Sequence, residues 1–158
     1  MTVKTGKVTG RRELHFQTID DIIADAEQMA AGPVKTLGNW SAGQIFKHLG
    51  IAFDLAVKGS TFKPPLFIRL LAPLFKKRFL TKPMSPGFQM PKAMQSDFMP
   101  PDDVSTEEGL AALQSGFETY KNATKLAPNV ALGRLTRAEC DQLQMRHAEM
   151  HLSFLVPE

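Results

Sequence analysis

The sequence carries one cysteine, Cys140, in 158 residues. That excludes an internal disulfide and suits a reducing compartment. Long hydrophobic runs are missing too. The longest apolar stretch, "PPLFIRLLAPLF" at 64–75, is broken by Arg69 and Pro73 and is too short to span a bilayer. The opening "MTVKTGKVTGRRELHF" has no apolar segment of the secretory kind, so a cytoplasmic protein is expected. Strand signals are scarce: β-branched runs are short, strict alternation is rare, and there is no Asn-Gly hairpin turn. Acids are absent from Lys58 to Lys92, where eight Lys and Arg residues fall, whereas elsewhere acids outnumber bases sixteen to eleven. The net charge of +3 therefore reflects a basic segment within an otherwise slightly acidic chain. No groove-binding motif or set of interleaved aromatics points to nucleic acid.

Helix signals, in contrast, are plentiful. Thr18 opens a stretch to about Ala31 with Ile19, Ile22, Ile23, Ala26, Met29 and Ala30 at helical spacing, closed by Gly32-Pro33. Three Ser/Thr-x-x-Glu/Gln capping boxes stand ahead of apolar stripes: Ser41 with Gln44, Ser105 with Glu108, and Thr136 with Glu139. Four amphipathic helices predict an all-α four-helix bundle in a single domain, 1–158, with 1–12 as a loosely ordered arm. Residues 60–104 form a long crossover or lid between the second and third helices. It holds one helical candidate, about Leu66 to Leu80, followed by a proline-rich stretch.

Three of the four histidines fall on the inner stripes of these helices. The last helix presents Cys140, Leu143, His147, Met150, His151 and Phe154, so both histidines share one face a turn apart. The second presents Ile45, His48, Leu49, Ala52 and Phe53. A buried imidazole needs partners for two ring nitrogens, and leaving one unpaired costs about 1–3 kcal/mol. Leu, Ile, Met, Phe and Ala offer none. A divalent cation would take one nitrogen from each ring, and three neutral ligands would leave its coordination open, as in catalytic sites. Hydrogen-bonded core histidines are the alternative, and the residues by themselves leave both readings open.

"NWSAGQIFKHLG" (39–50) sets a Trp-Ser helix start and a histidine eight residues after the Trp, and "RHAEMHLSFL" (146–155) is an H-x-x-x-H last helix. Together they resemble the DinB/YfiT-like superfamily. With "GRRELHFQTIDDIIADAEQMA", the basic insertion and "LGRLTRAECDQLQMRHAEMHLSFL", the chain is similar over nearly its whole length to a bacterial branch known as a domain of unknown function. The resemblance implies a DinB-like four-helix bundle with a divalent metal (Zn, Ni, Fe or Mn) held by His48, His147 and His151. It also implies a small-molecule substrate with a low-molecular-weight thiol, as in the superfamily's thiol-dependent transferases and isomerase, and pairing as a homodimer. Related sequences often carry a further histidine or aromatic where this one has Cys140 and Gln144.

The function expected is that of a metal-dependent enzyme in which a bound thiol or water, made more acidic by the ion, attacks a small electrophile. A non-catalytic metal-bound scaffold, or a ligand-binding or dimerisation module, is the alternative. Among the other polar residues, Gln44 completes a helix cap or, one turn before His48, orients a bound water or ligand. Glu149 is expected at the surface, and Arg146 solvated or paired with Asp141 or Glu149. Cys140, about 10 Å along the helix from His147, is too far to join the ligands and reads as a small buried hydrophobe. His15 lies outside the site, Trp40 packs the start of the second helix, and Tyr120 either reaches the site or packs the core. The basic segment reads as a lid whose apolar residues cover the bundle. A membrane surface or an anionic cosubstrate would be its other uses, and neither membrane nor nucleic-acid contact is expected.

Overall fold

The computed structural model describes residues 2–87 and 92–158. Residues 88–91, in the proline-rich part of the predicted lid, lie outside the described residues, as does Met1 of the predicted arm. The chain is mostly helical, with one small sheet. Its elements are α1 (Asp20–Ala30), β1 (Val34–Thr36), α2 (Ala42–Lys58), α3 (Leu66–Leu71), α4 (Lys76–Thr81), α5 (Lys92–Phe98), α6 (Thr106–Asn122), α7 (Arg137–Leu152) and β2 (Leu155–Pro157). The four long helices, α1, α2, α6 and α7, stand where the periodicity places them.

All three capping boxes form. In each, the Ser or Thr hydroxyl accepts from the backbone three residues on, while the Gln or Glu side chain accepts from the cap residue's own N–H. Helix α1 starts later than Thr18 because Asp21 folds back and accepts from the N–H groups of Gln17 and Thr18. Those bonds hold the Asp21 carboxyl below its usual pKa.

Helices α2 and α6 form the most extensive pair, and glycine allows it. A Cβ on Gly109 would lie 2.2 Å from the Gly43 carbonyl oxygen, and one on Gly116 2.5 Å from that of Gly50. Gly43 and Gly50 are seven residues apart, as are Gly109 and Gly116, so the backbones touch at two points along one seam. Around the seam pack Ile22, Phe46, Leu49, Phe53, Leu113 and Tyr120, each essentially inaccessible.

Two features depart from expectation at the chain ends. Val34–Thr36 pairs antiparallel with Leu155–Pro157, Thr36 facing Leu155, and ties the exit of α1 to the exit of α7. Three-residue strands are too short to leave an alternation in the sequence. The predicted loose arm is anchored at its far end. Arg12 forms a two-pronged ion pair with Asp25, 2.7 Å on each side, and donates to the carbonyls of Leu152 and Leu155. Arg11 donates to the Ser153 hydroxyl and lies 4.5 Å over the Phe154 ring. Two cations thus satisfy groups at the C-terminal end of α7, where the helix dipole favours them.

The insertion departs furthest. The single helix expected over Leu66–Leu80 is divided by a 3-10 turn, Ala72–Phe75, carrying Pro73, and α5 forms beyond the prolines. Leu80 and Met84 meet the bundle as expected, but the side chains of α3 and the 3-10 turn do not cover it. Leu66, Leu70 and Leu74 are 66%, 66% and 75% exposed. Leu80 is buried, and Lys76 bonds Glu139 at 2.7 Å, which mounts α4 on the start of α7.

Candidate metal centre

The α2–α6 glycine seam fixes the depth of α2, and His48 lies between its two glycines, 3% exposed. On α7, His147 and His151 follow one another by a turn and face it. The three rings form a compact triangle: centroids stand 5.0 Å apart for His48–His147, 4.5 Å for His48–His151 and 4.7 Å for His147–His151. One ring nitrogen from each lies within 4.8 Å of the others. All three histidines singled out in the sequence are therefore together.

The hydrogen bonds give the triangle a polarity. His48 Nδ1 donates to the Phe98 carbonyl at 2.7 Å, which leaves Nε2 as an acceptor. That Nε2 stands 3.1 Å from His147 Nε2. Either His147 donates a proton across this gap, or two lone pairs converge on a cation. Two imidazole nitrogens bound to one tetrahedral ion at about 2.05 Å stand about 3.3 Å apart, so the pair has the spacing of a chelate. The donor set fits a divalent transition metal, and Phe98 supplies the outer acceptor that such ligands ordinarily have. Among the described residues, no hydrogen bond from the protein reaches the ring nitrogens of His151.

Electrostatics keep these rings neutral. Burial pushes His147 down to about 3, with the neighbouring His48 adding to the effect. Burial lowers His48 against the opposing pull of the Phe98 carbonyl, and lowers His151 well below its ordinary value, helped by His147, His48 and the cation of Arg11. Neutral imidazole is the form that ligates.

Sequence reasoning missed the role of Trp40. Its indole stacks on His151 at 5.4 Å and 10° between planes, and tilts against His48 at 4.9 Å. The sequence signals were its place directly before the Ser41 cap of the helix that carries His48 and its part in the Trp-Ser motif eight residues ahead of that histidine. The other residues sort clearly. Gln44 uses its oxygen on the Ser41 N–H and its amide on the Pro101 carbonyl, so it serves the cap. Tyr120 packs in the core and donates to Asp141 at 2.6 Å. Burial and that acceptor raise its pKa.

Glu149 corrects the expectation of a surface residue, and Arg146 takes the paired alternative, with Glu149 as its partner. Each is 6% exposed, and they pair at 2.6 Å. Glu149 also accepts from the Phe16 N–H, while Arg146 donates to the Phe16 carbonyl and to His15 Nδ1. The side of α7 opposite the histidines is thus covered by the chain entering α1. His15 stays outside the cluster, as expected, but is a partner of this network.

A cavity of about 260 Å³ adjoins the histidines. His48 and His147 stand in its wall with Ala52, Leu55, Phe98, Cys140, Leu143 and Gln144, and the lining is predominantly apolar. Cys140 is buried, as expected, and burial raises its pKa, which keeps the thiol protonated. Gln144 donates to the Ala52 carbonyl.

The molecule is thus a mostly helical protein in which three neutral imidazoles meet beside an apolar cavity. The family described as "Protein of unknown function (DUF1569)" matches residues 8–158, and the chain belongs to it. Comparison with curated proteins and with solved structures finds no match.

Proposed function

We propose that the chain is a metal-dependent enzyme built as a DinB-like four-helix bundle, with a divalent cation held by His48, His147 and His151. The observation that carries this is the convergence of three neutral rings with 3.1 Å between two of their Nε2 atoms. When bound, the cation acts as a Lewis acid and makes a thiol or water nucleophilic at neutral pH. Three uncharged ligands leave its charge uncompensated, which favours an anionic fourth partner such as the thiolate of a low-molecular-weight thiol.

The chain's own groups do the remaining work. The Phe98 carbonyl fixes the tautomer of His48, and Trp40 braces the plane of His151. The apolar cavity excludes water and seats a small electrophile beside His147.

Elemental analysis of untagged protein, wild type beside His48→Ala, His147→Ala and His151→Ala, tests the site. One metal per chain in wild type, lost in each variant while the circular dichroism stays helical, is the expected outcome. Full metal content in a variant would remove that residue from the ligand set. A loaded protein that turns over no electrophile with any thiol would favour the non-catalytic scaffold.

A further inference from the structure

Seven of the nine exposed large apolar side chains among the described residues fall between Leu66 and Phe79. Leu66, Phe67, Leu70 and Leu71 stand exposed on α3, and Leu74 and Phe75 on the 3-10 turn that continues it, so the two together present a broad apolar surface. Soluble surfaces rarely leave such a face bare without a use for it.

The charges of the segment itself are all of one sign, and the acids beside it are already engaged, Glu139 by Lys76 and Asp97 by Ser60 and Thr61. No acid occurs from Lys58 to Lys92. Lys63, Arg69, Lys77, Arg78 and Lys82 are exposed there, while Lys58 is engaged by Asp54 and Lys76 by Glu139. The rest of the molecule holds this face outward. The main contact of α3 is with the turn that follows it, and the mount is α4, through the buried Leu80 and the Lys76–Glu139 pair.

We propose that the face formed by residues 66–79 docks on an anionic lipid surface. Leucine and phenylalanine side chains enter the headgroup boundary, and the flanking cations meet lipid phosphates. The charge decides the occupant. A rim of exposed cations complements an anionic bilayer, whereas a second copy of this chain would bring the same positive face against itself. Nucleic acid would satisfy the cations and leave the apolar side chains uncovered. The segment does not cross: no helix among the described residues is long and apolar enough to span a membrane. The inference is independent of the histidine cluster.

The test is cosedimentation of the full chain with vesicles of phosphatidylcholine alone or mixed equally with phosphatidylglycerol. Binding is expected on the mixed vesicles, about tenfold weaker on the neutral ones, and reduced by salt. Leu70→Glu with Leu74→Glu, and separately Lys77→Glu with Arg78→Glu, should each lower binding at least about tenfold. All four side chains are exposed, so circular dichroism should be unchanged. No binding to anionic vesicles, or binding indifferent to both double variants, overturns the proposal. A dimer in solution that the Leu70/Leu74 variant breaks, with no vesicle binding by wild type, would assign the face to a second copy instead.

Discussion

Replacing Gly109 by alanine tests whether the α2–α6 seam positions the histidines. On propensity alone the change should help, since alanine in a helix is favoured over glycine by about 1 kcal/mol. The packing opposes it. The new Cβ would stand 2.2 Å from the Gly43 carbonyl oxygen and 2.7 Å from its Cα, where ordinary contact begins near 3.4 Å. The atoms struck are backbone, so no side chain can swing aside, and the helices must part by roughly 1 Å there. Overpacking of this kind costs about 1–3 kcal/mol, and the upper end applies where the obstacle cannot move. The net expectation is a loss of about 2 kcal/mol, or roughly 4–8 °C in Tm for a chain of this size. Gly32→Ala is the control, because a Cβ there meets nothing within 4 Å. Urea and thermal melts of both variants decide the matter. A Gly109→Ala protein as stable as wild type, or more stable, would refute the seam.

Three further outcomes follow from the same geometry. Stability of the metal-free protein should fall with acid: the unfolded chain takes up protons on its histidines below about pH 6.5, while folded His147 resists until about 3. The loss is at most about 1.4 kcal/mol per pH unit for each such histidine, and urea midpoints at pH 7 and 5 that shift equally in wild type and His147→Asn would count against it. Glu149→Ala strands the Arg146 guanidinium, whose Nε already lacks a partner. It should cost about 3–5 kcal/mol in urea melts; a loss under about 1 kcal/mol would mean that the pair is not buried in solution. Trp40→Leu removes the ring stacked on His151 and should weaken zinc binding by calorimetry at least about tenfold while the fold persists. Unchanged affinity would make Trp40 a packing residue only.

What was legible in the sequence was local. The three capping boxes announce themselves in four residues each, because a Ser or Thr hydroxyl and a Gln or Glu side chain act within one turn. The histidine cluster was legible for a related reason: His147 and His151 share a face by spacing alone, and His48 sits on the only other stripe carrying an imidazole. What escaped needs a partner distant in the chain. Gly43 and Gly109 look like ordinary glycines until two helices are laid together. The strands are too short to print a period, and Trp40 becomes a brace only when α7 arrives beside it.

The misreading of Glu149 shows why α7 is special. A helix lying on the surface has one apolar stripe, and a residue opposite that stripe is solvated. Glu149 is about 200° around from His147, so the rule predicts exposure. But α7 is covered on both sides: α2 and the cavity on the histidine side, the chain at Phe16 on the other. A helix buried on two faces that also carries polar side chains on both cannot be apolar all round, and its hydrophobic pattern loses direction. The buried Arg146–Glu149 pair, satisfied by the Phe16 backbone, is how this sequence fills the second face. It follows that the pair fixes the rotation of α7 about its axis, and with it the direction in which His147 and His151 point. Breaking it should therefore lower zinc affinity by calorimetry as well as stability, although neither side chain hydrogen-bonds a histidine of the cluster.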